Sequence, residues 1–314
     1  MMMDVTPLFA PLQVGPKMLR NRIVMPPMVV NRGLATPQGA EWYGRRAQGG
    51  VGLVIVEATD VVDFPEALTA TNLRPLVDAI HQGGALAAIQ IFPGVRGQAT
   101  VPHQLTSQEI QELVADYVVA VKICAQAGFD AVEPHGAHGF LLNQFFSPVQ
   151  NRRTDAYGAT PEGRMRMALT IVEAIRPIVD GAGMLLLYRH TPVGRGYGIE
   201  ESVTLARRLV EAGVDILDIS PASDAAPGDR AAPFMELGVP VIAVNELDRV
   251  DRALEVLREK RATLVAVGRG LIADPDWPAK VRQHRLDEII ACTGCDQCHD
   301  DLGHGEPVGC AQWD

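Results

Sequence analysis

Two histidines three positions apart, His135 and His138, are the residues whose type and spacing best suit chemistry. They stand in the run Glu133-Pro134-His135-Gly136-Ala137-His138-Gly139-Phe140. The segment from Gly128 to Glu133 reads as a short apolar strand entering at a glycine, and a polar, glycine-broken loop follows at once. On one helical turn or in a tight loop, this spacing points both rings into the same small volume. Two imidazoles can donate hydrogen bonds to one oxygen, which suits a carbonyl that becomes an enolate-like oxyanion. The pair also suits a structural contact, or a metal held together with Glu133.

The elements that must position this pair follow a strict rhythm. Strand candidates are Arg22–Pro26, Val51–Glu57, Ala85–Ile91, Asp130–Glu133, Met184–Arg189, Asp215–Ser220, Val239–Val244 and Thr263–Gly268. Between them, Gln108–Gln126, Glu162–Val179, Glu200–Glu211 and Arg249–Glu259 carry apolar residues at helical spacing. Several strands are near-continuous apolar runs, as expected when both faces are covered. Eight strands with intervening helices predict an α/β fold, a single (β/α)8 TIM barrel, for which roughly 250 residues is typical. No glycine-rich dinucleotide fingerprint follows the first strand, which counts against an open doubly wound sheet. The division expected is a barrel over residues 1–285 and a short cysteine-containing C-terminal extension over 286–314.

The residues after the histidine pair carry a resemblance. Phe140-Leu141-Leu142-Asn143-Gln144-Phe145-Phe146-Ser147-Pro148, then Asn151-Arg152-Arg153-Thr154-Asp155-Ala156-Tyr157-Gly158 and Glu162-Gly163-Arg164, resemble the middle of the old yellow enzyme family, the FMN-dependent NAD(P)H:flavin oxidoreductases. The resemblance implies that His135 and His138 bind a substrate carbonyl. Catalytic residues of such barrels lie at the C-terminal ends of the strands. There the chain places Pro26, Pro27 and Met28, similar to the family's flavin-cradling turn, then Ala58, Gln90, Arg189, Gly268 and Arg269. A Gln amide can match the donor and acceptor edge of an isoalloxazine ring, and Gln90 is the candidate. A guanidinium stabilises negative charge on a reduced flavin, the role expected of Arg189. Gly268 and Arg269 offer backbone N–H groups and a cation to the phosphate.

The chain departs from the pattern in four places. Phe140 stands where many members have a proton-donating tyrosine, which leaves Tyr188, Tyr197 or water for that task. Val29 stands where relatives often have Thr or Cys near the flavin. Asn245, after Val244, replaces a glycine expected at the phosphate; Asn tolerates the left-handed backbone better than other non-glycine residues. The segments 59–71 and 92–106 after the second and third strands are short, which predicts a wide, open pocket.

Four of the five cysteines crowd the C-terminus, as Cys292-Thr-Gly-Cys295-Asp-Gln-Cys298 and Cys310, while Cys124 reads as a small core residue. In a reducing compartment such clustering reads as ligation rather than disulfides. The motif is similar to the [4Fe–4S] site of 2,4-dienoyl-CoA reductase and trimethylamine dehydrogenase, with two residues rather than three between Cys295 and Cys298. On ligand chemistry alone, iron–sulfur and zinc suit it almost equally, and unmetallated thiols remain open. Those relatives carry a further domain that binds FAD and feeds the cluster, so a cluster here requires another electron source, such as an electron-donor protein.

Apolar residues at 47% and charged residues at 21% are ordinary for a globular protein. The formal net charge of -10 argues against nucleic-acid binding. No signal peptide or membrane span is apparent, so a cytoplasmic homo-oligomer is expected. The resemblance implies an ene-reductase that uses NAD(P)H and FMN to reduce the activated C=C bond of an α,β-unsaturated carbonyl compound. The alternatives are a dienoyl-CoA-type reductase fed through a [4Fe–4S] cluster, a metal-dependent hydrolase barrel using the histidine pair, and a non-catalytic redox module.

Overall fold

Eight apolar runs, too continuous to leave either face in water, close on one another as a parallel barrel in the computed structural model. The structure describes residues 3–94, 101–222 and 230–313. An antiparallel hairpin, β1 (Leu12–Val14) and β2 (Lys17–Leu19), precedes the barrel. The barrel strands are β3 (Ile23–Met25), β4 (Leu53–Asp60), β5 (Leu86–Phe92), β6 (Ala131–Gly136), β7 (Leu185–His190), β8 (Ile216–Ile219), β9 (Val241–Ala243) and β10 (Leu264–Ala266). They pair in sequence order, and β10 closes on β3 through Val265 opposite Ile23. The fold is a (β/α)8 barrel.

Two apolar clusters hold it. The inner one comprises Val24, Leu53, Ile55, Ala88, Ala131, Leu185, Leu187, Ile216, Ile242, Leu264 and Ala266, plugged from below by Val14 and Leu19 of the hairpin. The outer cluster packs the other strand face against the helices, among them Ser107–Ala127 and Pro161–Gly181, with Cys124 fully buried in it. Helix starts are marked by Thr69 and Thr106, each in a reciprocal capping box with the residue three positions on.

Strand side chains alternate between faces. Counting by twos from the inner apolar residues therefore gives the next layer toward the C-terminal end: Gln90 after Ala88, Glu133 after Ala131, Arg189 after Leu187 and Asp218 after Ile216. One step further come His135 and Ser220. The barrel interior thus changes from apolar to polar over two residues, and the polar end is the candidate site.

The ends of the strands differ from the sequence reading. The fourth barrel strand does not stop at Glu133 but runs to Gly136, with His135 opposite Arg189 and Gly136 opposite His190. Gly136 is there for packing rather than for breaking the strand, since a Cβ would lie 2.1 Å from the Tyr188 hydroxyl. Histidine 135 is therefore a strand residue and only His138 belongs to the turn, at φ 56°.

Residues beyond Arg285 fold back over the barrel. Val308 is buried, its N–H donates to the Val30 carbonyl at 3.0 Å, and Arg32 donates to the Val308 carbonyl at 2.7 Å. The Trp313 indole donates to the Ala273 carbonyl at 3.0 Å, and its ring lies 5.9 Å from that of Trp42.

Candidate active site

The deepest polar layer joins four strands. Gln90 donates its amide N–H to Glu133 at 2.8 Å, both side chains being buried. Arg189 Nε lies 3.4 Å from Asp218 Oδ2 without hydrogen-bond geometry, and Arg189 Nη2 donates to Ser220 Oγ at 2.9 Å. Ser220 Oγ also lies 2.9 Å from His138 Nε2, so one hydroxyl links the β7 guanidinium to the imidazole after β6. The turn that carries His138 is held by Thr191, whose Oγ1 accepts the His138 backbone N–H at 2.9 Å.

The two imidazole rings lie 5.3 Å apart, edge to face. Neither holds a positive charge near neutral pH. Burial, then Arg189, then His138 push His135 well below the ordinary histidine range, and burial followed by Arg189 takes His138 down to about 3. Neutral imidazoles each retain one N–H to donate. His135 Nδ1 is buried with no hydrogen-bond partner, and the ring packs on Phe140 at 4.5 Å, with Phe92 a further 5.4 Å from Phe140.

Above this layer opens a cavity of about 1060 Å³. Its wall contains Pro26, Pro27, Met28, His138, Arg189, Asn245, Gly268 and Arg269, eight of the residues singled out in the sequence. Asn245 has φ 111°, as a glycine substitute there requires. Gln90 and His135 lie buried outside that wall, and Ala58, half-buried at the end of β4, is also absent from it. Tyr188 and Tyr197 do not reach it either: Tyr188 packs on Gly136, and the Tyr197 hydroxyl accepts from Asn143 at 2.7 Å and donates to the Thr191 carbonyl. Val29 is exposed. The segment after β4 contains only one short turn of 3-10 helix, Val61–Asp63. Of the segment after β5, residues 95–100 lie outside the described residues.

Ser220, Thr191 and Asp218 were missed in the sequence, although the rule that selected Arg189 also selects Ser220 at the end of the sixth barrel strand. Glu57, at the same level on β4, accepts the Val30 backbone N–H, and burial pushes its carboxyl up to about 7. His299 of the tail reaches the edge of the cavity.

Cys292, Cys295, Cys298 and Cys310 all line one small pocket, with about 20 Å³ of free space, and none forms a disulfide. Arg269 lines this pocket as well as the large cavity. Burial, then Cys292, pushes the Cys298 thiol up, while the Gln297 backbone N–H draws Cys295 down. Among the described residues no three His, Cys, Asp or Glu side chains are drawn together closely enough to hold a metal ion, at the cysteine pocket or at the histidine pair. No helix among the described residues is long and apolar enough to cross a membrane.

Comparison with known proteins places this geometry. Residues 7–101, 94–220 and 235–288 match the NADH:flavin oxidoreductase / NADH oxidase family. An NADH oxidase of Thermoanaerobacter brockii is 36% identical over 92% of this chain and 52% of its own length. An NADPH dehydrogenase of Listeria monocytogenes is 33% identical over 90% of this chain and 96% of its own. The chain spans about half the length of the NADH oxidase, and nearly all of the dehydrogenase. Among solved structures, morphinone reductase in complex with tetrahydroNAD superposes with a TM-score of 0.73 at 27% identity, over 88% of this chain and 90% of that one. Histamine dehydrogenase from Rhizobium sp. 4-9 superposes at 0.85 with 26% identity, over 98% of this chain and 52% of that one.

Proposed function

The chain belongs to the NADH:flavin oxidoreductase / NADH oxidase family, that of old yellow enzyme, and from this premise we propose that it is an FMN-dependent ene-reductase acting on α,β-unsaturated carbonyl compounds with NAD(P)H. The observation that carries the reading is His138, a neutral imidazole on the cavity wall, tied through Ser220 to the buried guanidinium of Arg189.

The residues present fit FMN. The cavity is as large as sites that take cofactors. Pro26, Pro27, Met28 and Ala266 give it an apolar side for a flat ring, and Gly268 keeps that side open: a Cβ there would already touch Met28 and Pro26 at 3.5 Å. Arg189 would hold the ring's polar edge, with Gln90 from the layer beneath it, while Arg269, Gly268 and Asn245 would hold the phosphate; Ala58, outside the wall, would at most border the ring. When bound, FMN supplies hydride transfer between a nicotinamide and the substrate. His138, held through Ser220 and Thr191, would bind the carbonyl oxygen of the substrate and stabilise charge that develops on it, and His135, buried with its ring 5.3 Å away, would be the second donor once that ring turns to the cavity. Arg189, almost wholly buried at the cavity wall, would balance negative charge on the ring. Phe140 has no proton to give, Tyr188 is buried against Gly136 away from the cavity, and the Tyr197 phenol is bonded to Asn143 and Thr191, so the proton for the α-carbon would come from water. In this reading, residues 1–285 form the FMN-binding barrel and 286–314 its cysteine-rich extension.

The absorption spectrum of anaerobically purified protein tests the cofactor. A flavin double band, with FMN released on denaturation, is expected. A colourless protein that FMN cannot reconstitute overturns the reading. With the holoprotein in hand, His138→Ala is expected to lower kcat/KM for an enone by about 10²- to 10³-fold while FMN stays bound, the size of effect seen when one oxyanion donor is removed. An unchanged kcat/KM would sink the assignment of the pair.

The four thiols around one pocket that shares Arg269 with the cavity favour a second reading, a [4Fe–4S] cluster that receives electrons from a donor protein, as in a dienoyl-CoA-type reductase. The pocket as it stands does not gather the sulfurs into a ligand set, so the tail must tighten around a cluster. About four irons and four sulfides per chain, lost in Cys298→Ser with FMN retained, support it. Iron-free protein after anaerobic reconstitution excludes it.

A further inference from the structure

Two carboxyl groups in the polar layer have no assigned task. Glu133 and Asp218 are both fully buried, on β6 and β8, with β7 between them. Arg189, on β7, is the one cation that acts on either among the described residues. The remaining polar neighbours are neutral: Gln90 from β5, and His135 and His138, whose burial beside Arg189 keeps them uncharged. Ser220, the residue after β8, is occupied by Arg189 and His138. Glu133 Oε2 and both oxygens of Asp218 have no hydrogen-bond donor.

Charge counting then decides the protonation state. A buried carboxylate without donors is costly unless a cation is paired with it. One guanidinium can offset one carboxylate, and a second negative charge in the same dry layer is opposed both by desolvation and by the first. We propose that Glu133 and Asp218 share a single proton inside the barrel, and that the pair are positioning residues for Gln90 and Arg189. Glu133 takes the N–H of the Gln90 amide and so leaves the Gln90 oxygen to accept from a ligand above it. Asp218 sets Arg189 from the opposite side. The roles of Gln90 and Arg189 rest on the FMN reading above, whereas the shared proton does not.

The test uses the full chain stripped of flavin, at pH 8.5, where Glu57 has ionised. Infrared spectroscopy is expected to show the carbonyl stretch of a protonated carboxylic acid in the wild type. Glu133→Gln and Asp218→Asn each leave one carboxylate facing one guanidinium, so loss of that band in either supports the proposal. No band in the wild type, or a band that survives both substitutions, overturns it. Should a variant fail to fold, the wild-type band alone decides. The positioning role is read from FMN titration followed by flavin absorbance. Glu133→Ala, which frees the Gln90 amide, is expected to raise the Kd about tenfold and to shift the flavin bands, whereas Glu133→Gln keeps both near wild type. Equal Kd and equal spectra for the two variants refute that role. If the wild type shows the infrared band but binds no FMN, the flavin reading falls and the shared proton stands.

Discussion

Glu57 and the imidazoles respond to pH in opposite senses. The folded-state carboxyl of Glu57 is raised to about 7 from an ordinary 4.5, because burial outweighs its hydrogen bond from Val30. The folded protein therefore binds a proton that the unfolded chain has already released between those values. The contribution is fully present below pH 4.5 and is lost as pH rises through 7, by about 3 kcal/mol in all. His138 and His190 are lowered to about 3 and about 4, chiefly by burial, so there the unfolded chain takes up the extra proton. Their contribution is complete above 6.5 and falls as pH drops below it. Glu57→Gln is expected to abolish the loss on the alkaline side and leave the loss on the acid side, as read from urea midpoints between pH 4 and 8. Parallel curves for the variant and the wild type would show that Glu57 ionises normally.

At the scale of the elements, two glycines make opposite predictions. Gly136 lies inside β6 against the Tyr188 hydroxyl, so Gly136→Ala is expected to destabilise by about 1–3 kcal/mol through overpacking. Gly181 ends the helix Pro161–Gly181 with nothing within 4 Å of a Cβ and without a left-handed backbone, so Gly181→Ala is expected to stabilise by about 0.4–1 kcal/mol. Thermal melts of the pair check both signs. Gly136 also explains why the strands were legible in the sequence and their ends were not. Val24, Ile55, Ala88 and Leu187 advertise barrel strands through uninterrupted apolar pattern. Inside a closed barrel, however, the last inward positions are polar because they lie beneath the cavity, so His135 and Gly136, past Glu133, imitate a loop. The residues that point into the cavity from strand ends, Arg189 and Gly268, were legible for the same topological reason. Ser220 was legible by that rule and passed over. The linkage of His138 to Arg189 through it was not, since a hydrogen bond across β7 and β8 depends on side-chain angles that no spacing encodes.

On the scale of the whole molecule, the tail and the barrel mouth are one structure. The N–H of Val30 donates to Glu57, while its carbonyl accepts from Val308, so a single residue joins β4 to the C-terminal extension. Arg269 makes the connection a second time, as a shared wall of the cysteine pocket and the large cavity, half-exposed and 3.7 Å from Asp296. Thermodynamic linkage gives that shared side chain a consequence. If Arg269 holds the FMN phosphate as proposed, one guanidinium would have to serve an anion on each side, and the affinity of the cavity for the phosphate would depend on the charge state of the thiols behind it. The dependence is reciprocal by necessity: whatever factor the oxidation or metallation of the four cysteines imposes on FMN binding, FMN imposes the same factor on them. Titrating flavin into protein with free and with alkylated thiols measures it, and Arg269→Gln is expected to bring the ratio of the two Kd values to one. On that reading the chain would be not a flavin site with an appendix but a two-ligand system, in which the state of the sulfur is written into the occupancy of the barrel.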